Sequence, residues 1–149
     1  MSGMRRSERK EKDPNLGILA AKVLWDFERE LFAKLAEQGH ADVRPRHGAV
    51  LAFLDPEGTR AKDLARLSGR HKQVITTLVD ELAALGYVER RPDPDDRRAK
   101  LVVPTARGLD EMKRADAIAR AIERRFAKRI GKDALDQMKD SMGEIVADD

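Results

Sequence analysis

With 149 residues, 41% of them hydrophobic and 38% charged, the chain can fill one small core but carries far more charge than the usual quarter. A net charge of +3 is too small to name a partner, and the lack of cysteine excludes disulfides, thiol catalysis, thiol redox sensing and thiolate metal sites. No apolar run approaches the roughly 18 residues of a membrane span, so no membrane partner is expected.

Residues 1–13 carry Arg5, Arg6, Arg9, Lys10 and Lys12 with almost nothing apolar. This predicts a disordered basic arm and lacks the apolar stretch of a secretory signal, which places the protein in the cytoplasm. Over 14–38, Leu16, Leu19, Val23, Phe27, Leu31 and Leu35 recur every three or four positions, the pattern of one long amphipathic helix ended by Gly39. Pro45 suits the first turn of a second helix running to about 54, and Asp55-Pro56-Glu57-Gly58 is a turn. A third helix over 61–67 points Leu64 and Leu67 inward and is interrupted by Ser68-Gly69-Arg70. The fourth, over 71–85, has Val74, Ile75, Leu78, Leu82 and Leu85 as its inner face and Gly86 at the left-handed cap position. Two short helices joined by a tight glycine turn make a helix-turn-helix.

Residues 87–91 then read as a strand, and 92–96 (Pro-Asp-Pro-Asp-Asp) cannot be helical. Ala99, Leu101 and Val103 alternate with Arg98, Lys100 and Val102, as a half-exposed strand should. The result is a hairpin with a charged tip, a wing. Thr105 caps a fifth helix running to about 130 with Leu109, Met112, Ala119, Ile122, Phe126 and Ile130 on one side. Asp133 caps a sixth with Leu135, Met138, Met142 and Ile145.

The fold expected is mainly α with a small β-hairpin wing (α+β), a winged helix-turn-helix between terminal helices. Its division is a basic arm (1–13), an N-terminal dimerisation helix (14–44), a winged DNA-binding domain (45–107) and C-terminal dimerisation helices (108–149). The terminal helices have no partner inside a compact winged domain, so a second copy is expected to cover them.

If the fourth helix enters a major groove with its N-terminal residues foremost, Lys72, Gln73, Thr76 and Thr77 face base edges. Arg70 and His71 stand at its start, where free backbone N–H groups favour phosphate. Arg60, Arg90, Arg91 and Lys100 are the remaining phosphate candidates.

The stretches 62–65, 82–90 and 95–99 and the run Thr105-Ala106-Arg107-Gly108, in this order and spacing, resemble the MarR family of bacterial regulators over most of the chain. The resemblance implies that Arg98, with Arg97 beside it, enters the minor groove and that Asp96 orients it by an ion pair. It also implies a small aromatic or anionic effector where the dimerisation helices meet the winged domain, around Trp25, Arg46, His47, Val50 and Met112. The chain departs from the family pattern at Arg60, where threonine or serine is usual, at Thr77, where arginine is frequent, and at Pro104, usually leucine. These departures bear on which operator is read.

The function expected is sequence-specific binding of double-stranded DNA by a homodimer at an inverted repeat with half-sites about 34 Å apart, repressing by occupancy. A winged module of the anti-repressor type, acting through a protein partner, is the alternative. Nothing resembles a glycine-rich phosphate loop, a nucleophile elbow or a zinc-protease motif, so neither enzyme activity nor a cofactor is expected. His40, Asp42 and His47 lie close in sequence, but without cysteine or an i, i+4 histidine pair no metal site is expected.

Overall fold

The computed structural model describes residues 3–147. Arg6–Lys12 form α1, where the sequence suggested a disordered arm; Met1 and Ser2 of that arm lie outside the described residues. The correction has a local cause. Glu8 accepts a hydrogen bond from the Arg5 N–H (2.8 Å), and the Arg9 guanidinium donates to the Met4 carbonyl (2.9 Å). Arg9, Lys10 and Lys12 in the last turn complement the helix dipole. No residue of α1 is buried.

The long α2 (Leu16–Glu37) begins where Asn15 accepts from the Ile18 N–H. It packs along α6 (Ala106–Ile130), and α7 (Lys132–Val146) packs on α6 in turn. Leu35, Ile118 and Ile122 are buried there, flanked by Phe27, Leu31, Phe32 and Phe126. Gly131, not Asp133, caps α7; Asp133 sits in its first turn. Among the described residues no helix is long and apolar enough to cross a membrane.

The second helix is shorter than the pattern suggested: a 3-10 turn, Pro45–His47, leads into α3 (Gly48–Leu51), which stops before Leu54. The helix-turn-helix is α4 (Ala61–Ser68) and α5 (Lys72–Ala84), joined through Gly69 in the left-handed region at φ 68°. Val50, Leu51, Leu64, Ile75, Leu78, Val79, Leu82, Tyr87, Val88 and Val102 form the core beneath them. Each fully buried aliphatic side chain contributes roughly 1.5–3 kcal/mol of burial. Two residues assigned inward, Leu67 and Val74, are instead exposed.

Among the described residues three strands, not two, make the sheet. The order is β1 (Thr59–Arg60), β3 (Asp96–Pro104), β2 (Val88–Asp93), all antiparallel, with Thr59 and Arg90 flanking Val102. On central β3 the buried side chains are Val102 and Pro104, and the set assigned inward, Ala99, Leu101 and Val103, is half-buried. Both faces are covered because the turn at Gly58 packs against Leu101 and Val103.

Phe32 touches both cores, and Glu111 of α6 lies between them, 2% exposed, with no hydrogen-bond partner for Oε2 among the described residues. Burial, reinforced by the charge of Asp116, pushes its carboxyl from 4.5 up to about 7. The folded state therefore holds this proton more tightly than the unfolded chain does. Stability from this group is complete below pH 4.5 and is lost as pH rises through about 7. Glu111→Gln should remove this fall, on the order of 3 kcal/mol. Urea unfolding of both proteins at pH 4.5 and 8 checks it; equal pH responses would contradict it.

Candidate nucleic-acid interface

Helix α5 presents Lys72, Gln73 and Thr77 to solvent, with Thr76 half-buried beside them. The Thr76 and Thr77 hydroxyls donate to the carbonyls of Lys72 (3.0 Å) and Gln73 (3.1 Å). Val74 is exposed on the same helix, which the periodicity had hidden. Arg70 and His71 are exposed at the helix start, and His71 occupies the N-cap position without a side-chain cap bond.

The wing is built on Asp93. Its carboxylate accepts from the Asp95 N–H (2.9 Å) and from Arg60, whose Nη2 lies 2.6 Å away. These contacts, the backbone bond first, hold Asp93 below the ordinary carboxylate range. Arg60 therefore clamps the wing turn to the start of α4, and its charge is compensated there rather than free for phosphate. Asp96 accepts from the backbone N–H of Arg98 (3.0 Å). Among the described residues it makes no ion pair with the Arg98 guanidinium, so it shapes the chain at Arg98 rather than holding the side chain.

Arg90 reaches Asp80 (2.7 Å) and the Thr76 carbonyl, tying β2 to α5; Arg91 pairs with Glu89 on its own strand. By contrast, Arg97, Arg98 and Lys100 are exposed and, among the described residues, make no ion pair. Arg98 and Lys100 line a cleft of about 370 Å³ with Arg60, Lys62 and Lys72, between the wing and the helix-turn-helix. The structure thus brings the wing cations to the start of α5. Lys62 was missed by sequence reasoning, and its only sequence signal was its place in the first turn of α4.

Beneath this face, buried Tyr87 donates to Asp42 (2.6 Å) and meets His40 Nδ1 at 2.9 Å, while His40 Nε2 lies 2.8 Å from Asp110. Arg107 stacks on the Tyr87 ring and also pairs with Asp42. Burial raises the Asp42 carboxyl, but the bonds from Tyr87 and Arg107 outweigh it and hold Asp42 below its usual value. The node joins the end of α2, the first wing strand and the start of α6. Tyr87→Phe leaves Asp42 and His40 short of a partner and should cost about 1–3 kcal/mol in chemical unfolding; an unchanged midpoint would refute the role.

The five residues expected around an effector do not share a cavity. Trp25 is 60% exposed on α2, and Val50 is in the winged core. The Arg44 N–H donates to His47 Nδ1 (2.9 Å), so the proton of this ring sits on Nε2 and is donated to Glu81 (2.8 Å). Arg46 donates to the same carboxylate (2.9 Å). Both side chains brace α5. Only Met112 lines the space between α2, α3 and α6. His40, Asp42 and His47 are spent on these partners.

A family model described as "MarR family" matches residues 41–99. The crystal structure of CouR from Rhodococcus jostii RHA1 bound to p-coumaroyl-CoA is 30% identical, over 88% of this chain and 91% of that one, with a TM-score of 0.73. A transcriptional regulator (MarR family) from Rhodococcus sp. RHA1 is 28% identical, over 96% of each chain, with a TM-score of 0.70. The uncharacterized HTH-type transcriptional regulator YcgE of Bacillus subtilis is 43% identical over 44 residues, 30% of this chain and 29% of that protein, so the match spans under a third of the curated relative.

Proposed function

Since the chain belongs to the MarR family, we propose that it is a DNA-binding transcriptional regulator which represses by occupying an inverted repeat as a homodimer and is released by a small-molecule effector. The observation that carries this reading is the cleft in which Lys62, Lys72, Arg98 and Lys100 meet beside the exposed start of α5. Lys72, Gln73, Thr76 and Thr77, with Val74, meet base edges in the major groove. Arg98 and Arg97 enter the minor groove, and Arg70, His71 and Lys100 hold phosphates. Wing cations left without an ion pair among the described residues match the phosphate backbone of a duplex.

The dimer is supported by apolar side chains that one subunit leaves exposed: Leu16, Leu19 and Val23 of α2, Ile130 of α6, and Met142, Ile145 and Val146 of α7. Covered by a second copy, they form an interface that sets two α5 helices about one turn of DNA apart. The proposed work is binding in the cytoplasm, not catalysis. Hydroxyl-radical footprinting of the region upstream of its own gene tests this. Two symmetric protected patches about one helical turn apart are expected, whereas a single unsymmetric patch would refute the dimeric mode.

A further inference from the structure

Arg60 reaches across the central strand β3 to the far end of β2, where its Nε and Nη2 lie 2.7 and 2.6 Å from Oδ2 of Asp93. The other oxygen of Asp93 accepts from the Asp95 N–H at 2.9 Å, inside the turn that leads to Arg98. We infer that Arg60 is a positioning residue for operator selection. Through Asp93 it fixes the wing against the recognition helix, and so sets the one spacing between major-groove and minor-groove contacts that a half-site must offer.

Three observations carry the inference. First, Asp93 is 6% exposed and joins two parts of the fold, one oxygen spent on the wing turn and the other on the start of α4. Among the described residues one other ion pair ties the wing to the helix-turn-helix, Arg90 with Asp80, and it sits further from the tip. Outward of Leu101 the sheet is only two strands wide, and such a ribbon is marginal by itself, so the pose of the tip depends on Arg60. Second, Arg60 stands at the N-cap of α4 and makes no cap bond. Serine, threonine, asparagine or aspartate there would satisfy a helix N–H; the arginine forgoes that bond and makes the Asp93 pair instead. Third, Arg60 lines the cleft with Lys62, Lys72, Arg98 and Lys100, yet its charge is answered by Asp93. It therefore contributes placement to the cleft rather than attraction for phosphate. Without it, Asp93 keeps a charge with one oxygen unanswered, and hydrating that oxygen draws the wing away from α4. The inference rests on the duplex-DNA reading above.

The test compares full-length wild type, Arg60→Gln, Asp93→Asn and the double variant, in which neither charge is left alone. Each is titrated against the upstream site located by footprinting, and against the same duplex with one base pair inserted between the major-groove core of each half-site and its outer flank. The insertion displaces the flank by about 3.4 Å and turns it by roughly 35°. Wild type should bind the inserted duplex at least about tenfold more weakly, the scale of one lost arginine contact. Each single variant should bind the original duplex about tenfold more weakly than wild type does. It should also separate the two duplexes by less than about threefold, because its wing is no longer held to one spacing. The double variant should be no worse than either single one, as expected of two groups acting as a pair. The inference is overturned if Asp93→Asn binds as tightly as wild type, which would make Arg60 a phosphate contact in its own right. It is also overturned if a variant loses affinity equally on both duplexes, the mark of a merely structural pair, or if wild type does not distinguish them. If wild type binds neither duplex, the duplex-DNA reading fails and takes the inference with it. If wild type and the variants all bind and separate the duplexes alike, the inference alone fails.

Discussion

Gly108→Ala is expected to cost at least about 3 kcal/mol in urea unfolding, the upper end for an overpacked site. A Cβ at this position would lie 2.1 Å from the Tyr87 carbonyl oxygen and 3.2 Å from the Pro104 Cβ. The obstacle is backbone and cannot rotate away. That carbonyl also accepts from the Thr105 N–H (2.9 Å) and the Thr105 hydroxyl (3.1 Å), and Thr105 Oγ1 caps α6 by accepting from the Gly108 N–H. The close approach of Gly108 thus seats α6 at the start of the first wing strand. Gly143 is the internal control, since nothing lies within 4 Å of its Cβ position and it is inside α7. Gly143→Ala should stabilise by about 0.5–1 kcal/mol through helix propensity. Equal midpoints for the two variants would refute the packing account of the Thr-x-x-Gly start.

Arg98→Ala is expected to weaken operator binding by about tenfold to a hundredfold, the loss of one specific arginine contact, with an unchanged melting temperature. The side chain is exposed and has no ion pair among the described residues, so folding gains nothing from it. Asp96→Ala should weaken binding less, because Asp96 acts on the Arg98 backbone rather than on the guanidinium. Paired measurements of melting and of binding to the same duplex separate the two effects. A variant that binds as wild type does would remove Arg98 from the interface.

Much of this was legible in the sequence, and the failures share physical causes. The helix-turn-helix could be read because Leu64, Ile75, Leu78 and Leu82 repeat with the helical period and Gly69 marks the turn. Periodicity could not reveal β1, which has two residues and exists only through its pairing with β3. It also misjudged β3, because buried Val102 falls in the same alternation as exposed Arg98 and Lys100, so the polar side of the outer half points to the wrong frame for the inner half. Val74 and Leu67 are apolar yet exposed, and nothing local marks them out from core residues. The roles of Arg46 and His47 depend on Glu81, 34 or 35 positions away. Glu111 read as one more carboxylate on a helix surface until packing put it between two cores.

The central claim, that the cleft beside α5 is a duplex-DNA site, is tested most directly by titrating wild-type protein against its own upstream region at 50 to 200 mM salt. The four cations lining the cleft that make no ion pair among the described residues, Lys62, Lys72, Arg98 and Lys100, make eight in a dimer. If each displaces one condensed counterion, from the backbone or from within a groove, log K should fall with log salt at a slope of about −7, a loss of roughly ten-thousand-fold across that range. A slope shallower than about −2, or no binding at the lowest salt, would contradict the account.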